Sequence, residues 1–569
     1  MIRFAKCGAV LLGMLSFSAW AAPDPWTATL DSVENQFEAN YCFKDLKREL
    51  FGWDGHVLMD QTRAQLEALG PYPNPAQARH ALQRFYDSTR DIHVSPRYVI
   101  DPAFTRSTLG VRIRSASDGR FYIVAVNPAL GTPAAIQIGD EVLRFNGATL
   151  PSVRAQFLPQ FFSQPRTQVA IAEEVLTDRF DVLGHALPSG TTSLVLRNHL
   201  TGATGTFTLT WTKTARSSLR SRAGGRKRGL SYSAEFREDA FGEDTRAPAA
   251  ANPVANYSFS GARSPFFPDL GPVLWRTAAT DPLDAYSFRL PNGKIGGFVR
   301  IGSYFPNDIF SKVTPFFGSL MSRFAHDGVS VLVYDQTNNS GGSLLYSEDL
   351  MRSLIAEPVR APLSVEWIVQ PTNFEMSMPW SDLRDLATAA LTDPAAREKF
   401  QNEIFIDKVL DDEFIHGFIA QAEEMLALLR DPNHPRLMRP SPFEGQSWIR
   451  PTNGTPYLGP ILMLGNELSV SAADLTPALF QDLRRAAFFG EKTAGAGAYQ
   501  NSFAVPAGNP FGLVASALSF GKFNHADGRP VENHGTLPNF PYSVTARDLQ
   551  NEMHDYRDAV VRAALSIAR

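Results

Sequence analysis

Cysteine is almost missing from these 569 residues, with Cys7 and Cys42 the whole supply. Cys7 lies inside an N-terminal apolar stretch and is not placed as a lipid-anchor cysteine would be, so removal of that stretch leaves Cys42 alone. An intrachain disulfide is then excluded. An excess of positive charge is also missing: 54 Lys plus Arg face 58 Asp plus Glu, for a formal charge of −4. No basic field exists to hold a nucleic acid, and none is expected as a partner. Beyond the N-terminus no 18 apolar residues run together, which predicts no membrane span. Clusters of Cys and His at metal-ligand spacing are absent, as is a phosphate-binding glycine loop ahead of a helix, so neither a metal nor another cofactor is expected. What remains is 44% hydrophobic and 20% charged, ordinary globular composition, and the length predicts three or four folding units.

The chain opens with Arg3 and Lys6, then an apolar stretch over 9–20, then Ala19-Trp20-Ala21 just before Pro23. This order predicts a secretory signal over 1–22, a mature chain starting at Ala22 or Pro23, and a periplasmic or extracellular location. Apolar residues recur at helical spacing over 45–69 and 75–89, the second placing Ala78, Leu82 and Phe85 on one side, which predicts a helical domain over 23–104. From 108 the period changes to alternation, in "LGVRI", "FYIVAV", "GDEVLRFNG" and 192–211, the pattern of short strands. Their order resembles a PDZ domain over 105–215, with 154–187 inserted. That resemblance implies that the amides of Thr108, Leu109, Gly110 and Val111 face a peptide's C-terminal carboxylate while the peptide adds as a strand. A plain β-sandwich without ligand is the other reading. Basic residues interleaved with Ser and Gly over 213–228, an acidic patch and an Ala/Pro run predict a solvated linker over 216–285. Strands then alternate with helices, an α/β arrangement over 286–569 interrupted by a helical insertion at 373–440.

Three segments of this last unit have compositions that a plain core does not need. "VLVYDQTNNSGGSLLYSEDL" ends a strand at Asp335 and turns through Gly341 and Gly342 into a helix, leaving bare N–H groups suited to an oxyanion. "ILMLGNELSVSAADLTPALFQDL" repeats strand, turn and helix around Ser469 and Ser471. "FFGEKTAGAG" is a strand running into a glycine-rich turn. Together they resemble the C-terminal processing, or tail-specific, serine peptidases, whose pattern is "DLRNNPGG", "SASASE" and "GEKTFGKG" behind a PDZ domain. Here 335–342 reads D-Q-T-N-N-S-G-G, 469–474 reads S-V-S-A-A-D and 490–497 reads G-E-K-T-A-G-A-G, within a match spanning roughly 85–545. The resemblance implies a crotonase/ClpP-like α/β catalytic fold with Ser471 as nucleophile and the Gly342 and Ala472 amides as oxyanion hole. It also implies peptide or protein substrates, bound in some relatives by the C-terminus.

One departure bears on mechanism. The family's usual base is the lysine of "GKG", and Ala496 stands there; Lys492 is four residues early and reads as a structural surface residue. The branch typified by the tricorn peptidase uses His, Ser and Glu instead. By that likeness His93 of "DIHVSPRY" is the base and Glu532 of "DGRPVENHGTLPN" its support, since histidine exchanges a proton near neutral pH and a carboxylate stabilises the resulting cation. Ile92 stands where the branch has serine, and Leu537-Pro538-Asn539 departs from its last motif. His534 is a second candidate base. Ser471 followed by Asp474 also spells a capping box, although Pro477 favours a helix starting at Asp474. The competing function is a catalytically inactive peptide- or hydrophobic-ligand-binding protein on the same scaffold. Oligomeric state is not legible.

Overall fold

The computed structural model describes residues 25–70, 75–98, 103–157, 164–180, 186–217, 252–257, 263–306, 309–373, 378–404 and 410–568. The expected signal at 1–22 and most of the basic and acidic linker lie outside the described residues. Helices Pro25–Asn40, Lys44–Phe51, Gly55–Ala68 and Pro75–Ser88 form the N-terminal unit. Their inner faces meet in a cluster of edge-on aromatic rings, Phe37 against Phe85 and Tyr86 and Tyr41 against Trp53. Helix Lys44–Phe51 stops at Gly52, whose φ of 66° returns its N–H to the Arg48 and Lys47 carbonyls.

This unit does not stand apart from the rest of the chain, as a domain over 23–104 implies. Strand Ser95–Tyr98 pairs antiparallel with the long strand Leu513–Asn524, with Ser95 opposite Ala517. The Cys42 N–H donates to the Ser519 carbonyl at 2.9 Å. Phe37, Phe85 and Tyr86 share one continuous core with Phe317, Leu350 and Phe480. The edge strand explains the difference: four residues of strand after a helical run give no sequence sign of where their partner lies.

The C-terminal α/β unit is built on a seven-stranded sheet in the order Val273–Arg276, Asp284–Arg289, Ile295–Arg300, Val331–Asp335, Ile461–Gly465, Ala487–Gly490, Phe540–Pro541. The first three strands are antiparallel neighbours, and from Ile295–Arg300 onward every pairing is parallel. Helices Thr314–His326, Leu344–Met351 and Ala472–Asp482 bury one face and His554–Ile567 the other, as parallel strands require. The sheet begins at Val273, so the linker expected to run to 285 ends earlier. Phe266 and Phe267 already pack into the core beside Tyr556. Helices Trp380–Ala390, Pro394–Glu403 and Asp412–Leu429 occupy the 373–440 insertion around Trp380, Phe400 and Phe418.

The PDZ-like unit is a five-stranded antiparallel sheet ordered Val111–Ser115, Phe121–Val126, Glu141–Phe145, Thr191–Arg197, Thr204–Thr210. Its inserted segment forms helix Pro165–Thr177, which packs against the edge strand Val111–Ser115. That contact corrects the expected peptide groove. The Leu109 N–H donates to the Thr177 carbonyl at the end of this helix at 3.0 Å. The Gly110 N–H donates to the Thr108 hydroxyl, and the Ser115 N–H to the Glu173 carboxylate at 2.9 Å. Thr108, Leu109, Gly110 and Val111 are all buried. The Leu109 and Gly110 donors assigned to a peptide carboxylate are satisfied within the chain, and the insertion lies on the edge a peptide strand would use.

Candidate active site

Strand Ile461–Gly465 delivers the chain at the carboxyl end of the sheet into the turn that carries Ser471. There the backbone takes φ 58° and ψ −124°, a conformation L-residues rarely adopt, at the residue just before helix Ala472–Asp482. Such strain sets a serine hydroxyl out from a sharp strand-to-helix turn. The Ser471 side chain makes no capping hydrogen bond, so the capping-box reading fails. Asp474 instead turns its carboxylate to the Gly495 and Ala496 N–H groups, each at 2.9 Å. The helix starts at Ala472 despite Pro477. The Ala473 carbonyl that proline leaves without an amide accepts from Gln336 Nε2 at 2.8 Å. Ser469, the other serine of the turn, is buried and donates to the Gln336 carbonyl, which gives it a structural place.

The turn over 335–342 is stitched to this one. Asn466 Oδ1 accepts the Asn338 N–H at 2.9 Å while its Nδ2 donates to Asn338 Oδ1 at 2.7 Å. The Val470 N–H donates to the Asn339 carbonyl. Gly341 lies so close that a Cβ there would stand 2.6 Å from the Ser471 Cβ, and Gly342, at φ 144°, would drive one into the Tyr304 carbonyl. Only glycine allows that approach. The Gly342 and Ala472 N–H groups take no part in the backbone hydrogen bonds that close these turns. Ala472 also opens an eleven-residue helix, whose positive end favours an anion beside Ser471.

His93 reaches the same point from the N-terminal unit. After helix Pro75–Ser88 the chain reverses through Arg90, at φ 51°, and the Asp91 carboxylate accepts the His93 N–H at 2.9 Å. The ring is 2% exposed, and its Nε2 stands 3.0 Å from Ser471 Oγ. Nδ1 on the other side carries no hydrogen bond, and the buried Asp91 carboxylate stands nearest to it, with Oδ1 at 3.7 Å. Ligand atoms of Asp91, His93 and Glu532 lie within 4.8 Å of one another. A cation could bridge such a set, but one is already there: the Lys47 ammonium sits 2.6 Å from Glu532 Oε1.

Burial pushes the Glu532 carboxyl up to about 8, against the pull of Lys47 and the Gly497 N–H, with Asp91 adding to the rise. For Asp91 burial also raises the value, but hydrogen bonding and charge from His93, with the Lys47 charge, outweigh it and leave it below the usual carboxylate range. Asp474 is pushed to about 6 by burial. Lys492 is half-buried and lowered by that burial; its amine has no contact with Ser471 among the described residues. Ala496 is 2% exposed. His534 turns Nδ1 to the Glu532 carbonyl and not to Ser471.

The structure thus brings together Ser471, His93, Glu532, Gly342 and Ala472. Sequence reasoning missed Asp91 and Lys47. Asp91 had a signal, a carboxylate two residues before the histidine. Lys47 had none, because "KDLKRELF" reads as a solvated helical surface.

Residues 297–542 match peptidase family S41 and residues 105–218 match a PDZ domain. The 297–542 region therefore carries the family S41 pattern, and the class it supports is a serine-type peptidase acting on protein or peptide substrates. Among curated proteins the chain is similar to a protein of Chlamydia pneumoniae, 26% identical over 614 residues, covering 99% of this chain and 95% of the relative. A protein of Chlamydia trachomatis serovar D is 25% identical over 566 residues, covering 93% of this chain and 91% of that one. The solved structure of mature CPAF complexed with lactacystin has the same fold, with a TM-score of 0.78 at 24% identity over 95% of this chain and 99% of that one.

Proposed function

We propose that the chain is an exported peptidase in which Ser471 is the nucleophile, His93 the general base and Glu532 the carboxylate that supports the histidine, the arrangement of the tricorn-like branch. The 3.0 Å contact between His93 Nε2 and Ser471 Oγ carries this reading. It is a hydrogen-bond distance at which proton transfer accompanies attack. Ser471 Oγ adds to the scissile carbonyl carbon as its proton passes to Nε2, and the oxygen that gains the charge turns to the Gly342 and Ala472 N–H groups. Collapse breaks the C–N bond, with the proton on Nε2 delivered to the departing amine. Water, deprotonated by the same nitrogen, then adds to the acyl carbon, the C–Oγ bond breaks to release the acid, and Nε2 returns the proton to Ser471 Oγ.

The N-terminal pattern of basic residues, apolar stretch and Ala19-Trp20-Ala21 supports export to the periplasm or beyond. Substrate selection we place in the cleft at Ser471 and not at the PDZ-like loop, whose amides are occupied by Thr177 and Thr108. Among the described residues no helix is long and apolar enough to cross a membrane.

One assay tests the catalytic set. A fluorophosphonate should label the wild-type chain and leave Ser471→Ala unlabelled, with peptide hydrolysis down by about 10³-fold or more. His93→Ala should slow labelling by about 10²-fold or more, and Lys492→Ala should leave it near wild type. Equal labelling of wild type and Ser471→Ala, or a loss at Lys492 in place of His93, overturns the assignment.

A further inference from the structure

Lys47 is 0% exposed and lies in the N-terminal unit, in a helix whose other polar residues are mostly at the surface. An ammonium out of water is costly unless every donor is matched by geometry and by charge. Here each of the three is matched: Glu532 Oε1 at 2.6 Å, Asn533 Oδ1 at 2.6 Å and the Arg90 carbonyl at 3.1 Å. The acceptors come from both sides of the site. Arg90 begins the turn that presents Asp91 and His93, while Glu532 and Asn533 belong to the late segment. Glu532 is held at its other end as well, since Oε2 accepts the Gly497 N–H at 3.0 Å. Gly497 can approach because it lacks a side chain; a Cβ there would lie 2.6 Å from the Glu532 nitrogen. A lysine so bound has its lone pair tied up and cannot serve as a base. It can fix where Glu532 stands and which charge it carries.

We infer that Lys47 is a positioning residue of the peptidase, holding Glu532 as an oriented carboxylate behind His93. The inference rests on the Ser471–His93 reading above. The groups around Glu532 make the need plain: Asp91 and His93 face it from the turn after helix Pro75–Ser88, Tyr41 and Cys42 from the N-terminal unit, and Asn533 from its own segment. Asp474, from the nucleophile helix, acts on the same histidine. Two buried carboxylates beside one imidazole repel each other, and Lys47 is the cation among these groups that touches Glu532. Even with Lys47 in place burial raises Glu532 to about 8; without Lys47 the carboxyl keeps its proton to higher pH still, and the imidazolium formed during attack gains its second carboxylate only further toward the alkaline end. Ala496, where relatives carry the lysine base, leaves the catalytic unit without a cation at that position. Lys47 brings one from the N-terminal unit, in a different role.

The test measures fluorophosphonate labelling rate against pH for wild type, Lys47→Met, Glu532→Gln and the double variant, with urea unfolding as a check on the fold. Lys47→Met should move the ascending limb upward by about one pH unit or more, so that labelling near neutral pH falls about tenfold while the rate at the alkaline end recovers. The double variant should label within about twofold of Glu532→Gln, because Lys47 acts mainly through that carboxylate. Removing both charges leaves no unpaired buried carboxylate, so the comparison holds even where Lys47→Met folds poorly. An unmoved limb, or a loss by one factor at every pH, assigns Lys47 to structure only and overturns the inference. So does a double variant about tenfold or more slower than Glu532→Gln. Failure of the underlying reading looks different: wild type itself then labels no faster than Ser471→Ala.

Discussion

Replacing Arg114 by methionine should weaken the joint between the PDZ-like unit and the nucleophile turn, more severely as pH rises. Arg114 is 2% exposed and lies 2.7 Å from Glu467, 3.3 Å from Glu173 and 3.6 Å from Glu174, with its guanidinium 4.6 Å from the centre of the Tyr257 ring. Glu173 has a second partner in Arg154 at 2.9 Å, whereas Glu467 depends on Arg114 for its close ion pair. Burial already pushes Glu467 above its usual range, and Arg114 is foremost among the groups restraining it. Removing one member of a buried pair costs about 3–5 kcal/mol when the other stays charged. Glu467 escapes part of that cost by protonating. Its folded value then lies still further above the unfolded one, so the native state binds more protons and stability falls as pH rises through the window between the two. Each pH unit inside the window is worth about 1.4 kcal/mol. Once pH passes the parent's own raised Glu467 value, the deficit of Arg114→Met against wild type should grow by about 1.4 kcal/mol per pH unit, read as a urea midpoint that falls more steeply with pH than the parent's. Fluorophosphonate labelling of Ser471, four residues beyond Glu467, should slow in parallel at the alkaline end. A deficit constant across pH refutes the argument, since it means lost packing and not an uncompensated carboxylate.

Two further outcomes follow from the occupied edge of the PDZ-like unit and from the N-terminal pattern. Free-acid and amidated versions of one apolar-ended peptide should be cut by the full chain at rates within about twofold, because charge-assisted contacts worth about twice a neutral hydrogen bond are absent at Gly110; a strong preference for the free acid means that helix Pro165–Thr177 moves aside. N-terminal sequencing of the chain recovered from periplasm or medium should read from Ala22 or Pro23, and a product that retains Met1 ends the export proposal.

What the sequence made legible depended on how local the information was. Ser471 and the two glycines sit in short motifs whose residue types are fixed by backbone geometry, φ 58° at Ser471 and a Cβ collision at Gly341, so the pattern and the structure carry the same constraint. His93 was legible by its place ahead of the PDZ-like strands. The partners of Glu532 were not, because its hydrogen bonds to Lys47 span 485 positions and nothing in "KDLKRELF" marks the third residue after Lys44 as buried. The same limit explains the peptide groove. Alternation found the Val111–Ser115 strand, but it is silent about a helix that returns after 50 residues to lie on that strand's free edge. The start of the sheet at Val273 was hidden for a different reason, since "VLWR" is too short a run to distinguish a strand from the end of a loop.

The placement of His93 changes what the N-terminal unit is for. In a lysine-dependent relative the base and the nucleophile both belong to the catalytic unit, whereas Ala496 here gives its N–H to Asp474 and offers no side chain to Ser471. The imidazole comes instead from a turn whose position is set by strand Ser95–Tyr98 pairing with Leu513–Asn524, by the Cys42 to Ser519 bond, and by Lys47 gripping both Arg90 and Glu532. The strand pairing, the Cys42–Ser519 bond and the Lys47–Glu532 contact each join the N-terminal unit to residues beyond 512, so they form only when that unit docks on the rest of the chain. On the Ser471–His93 reading proposed above, docking also assembles the nucleophile and its base: a chain whose N-terminal helices stay undocked holds Ser471 in its strained turn without His93.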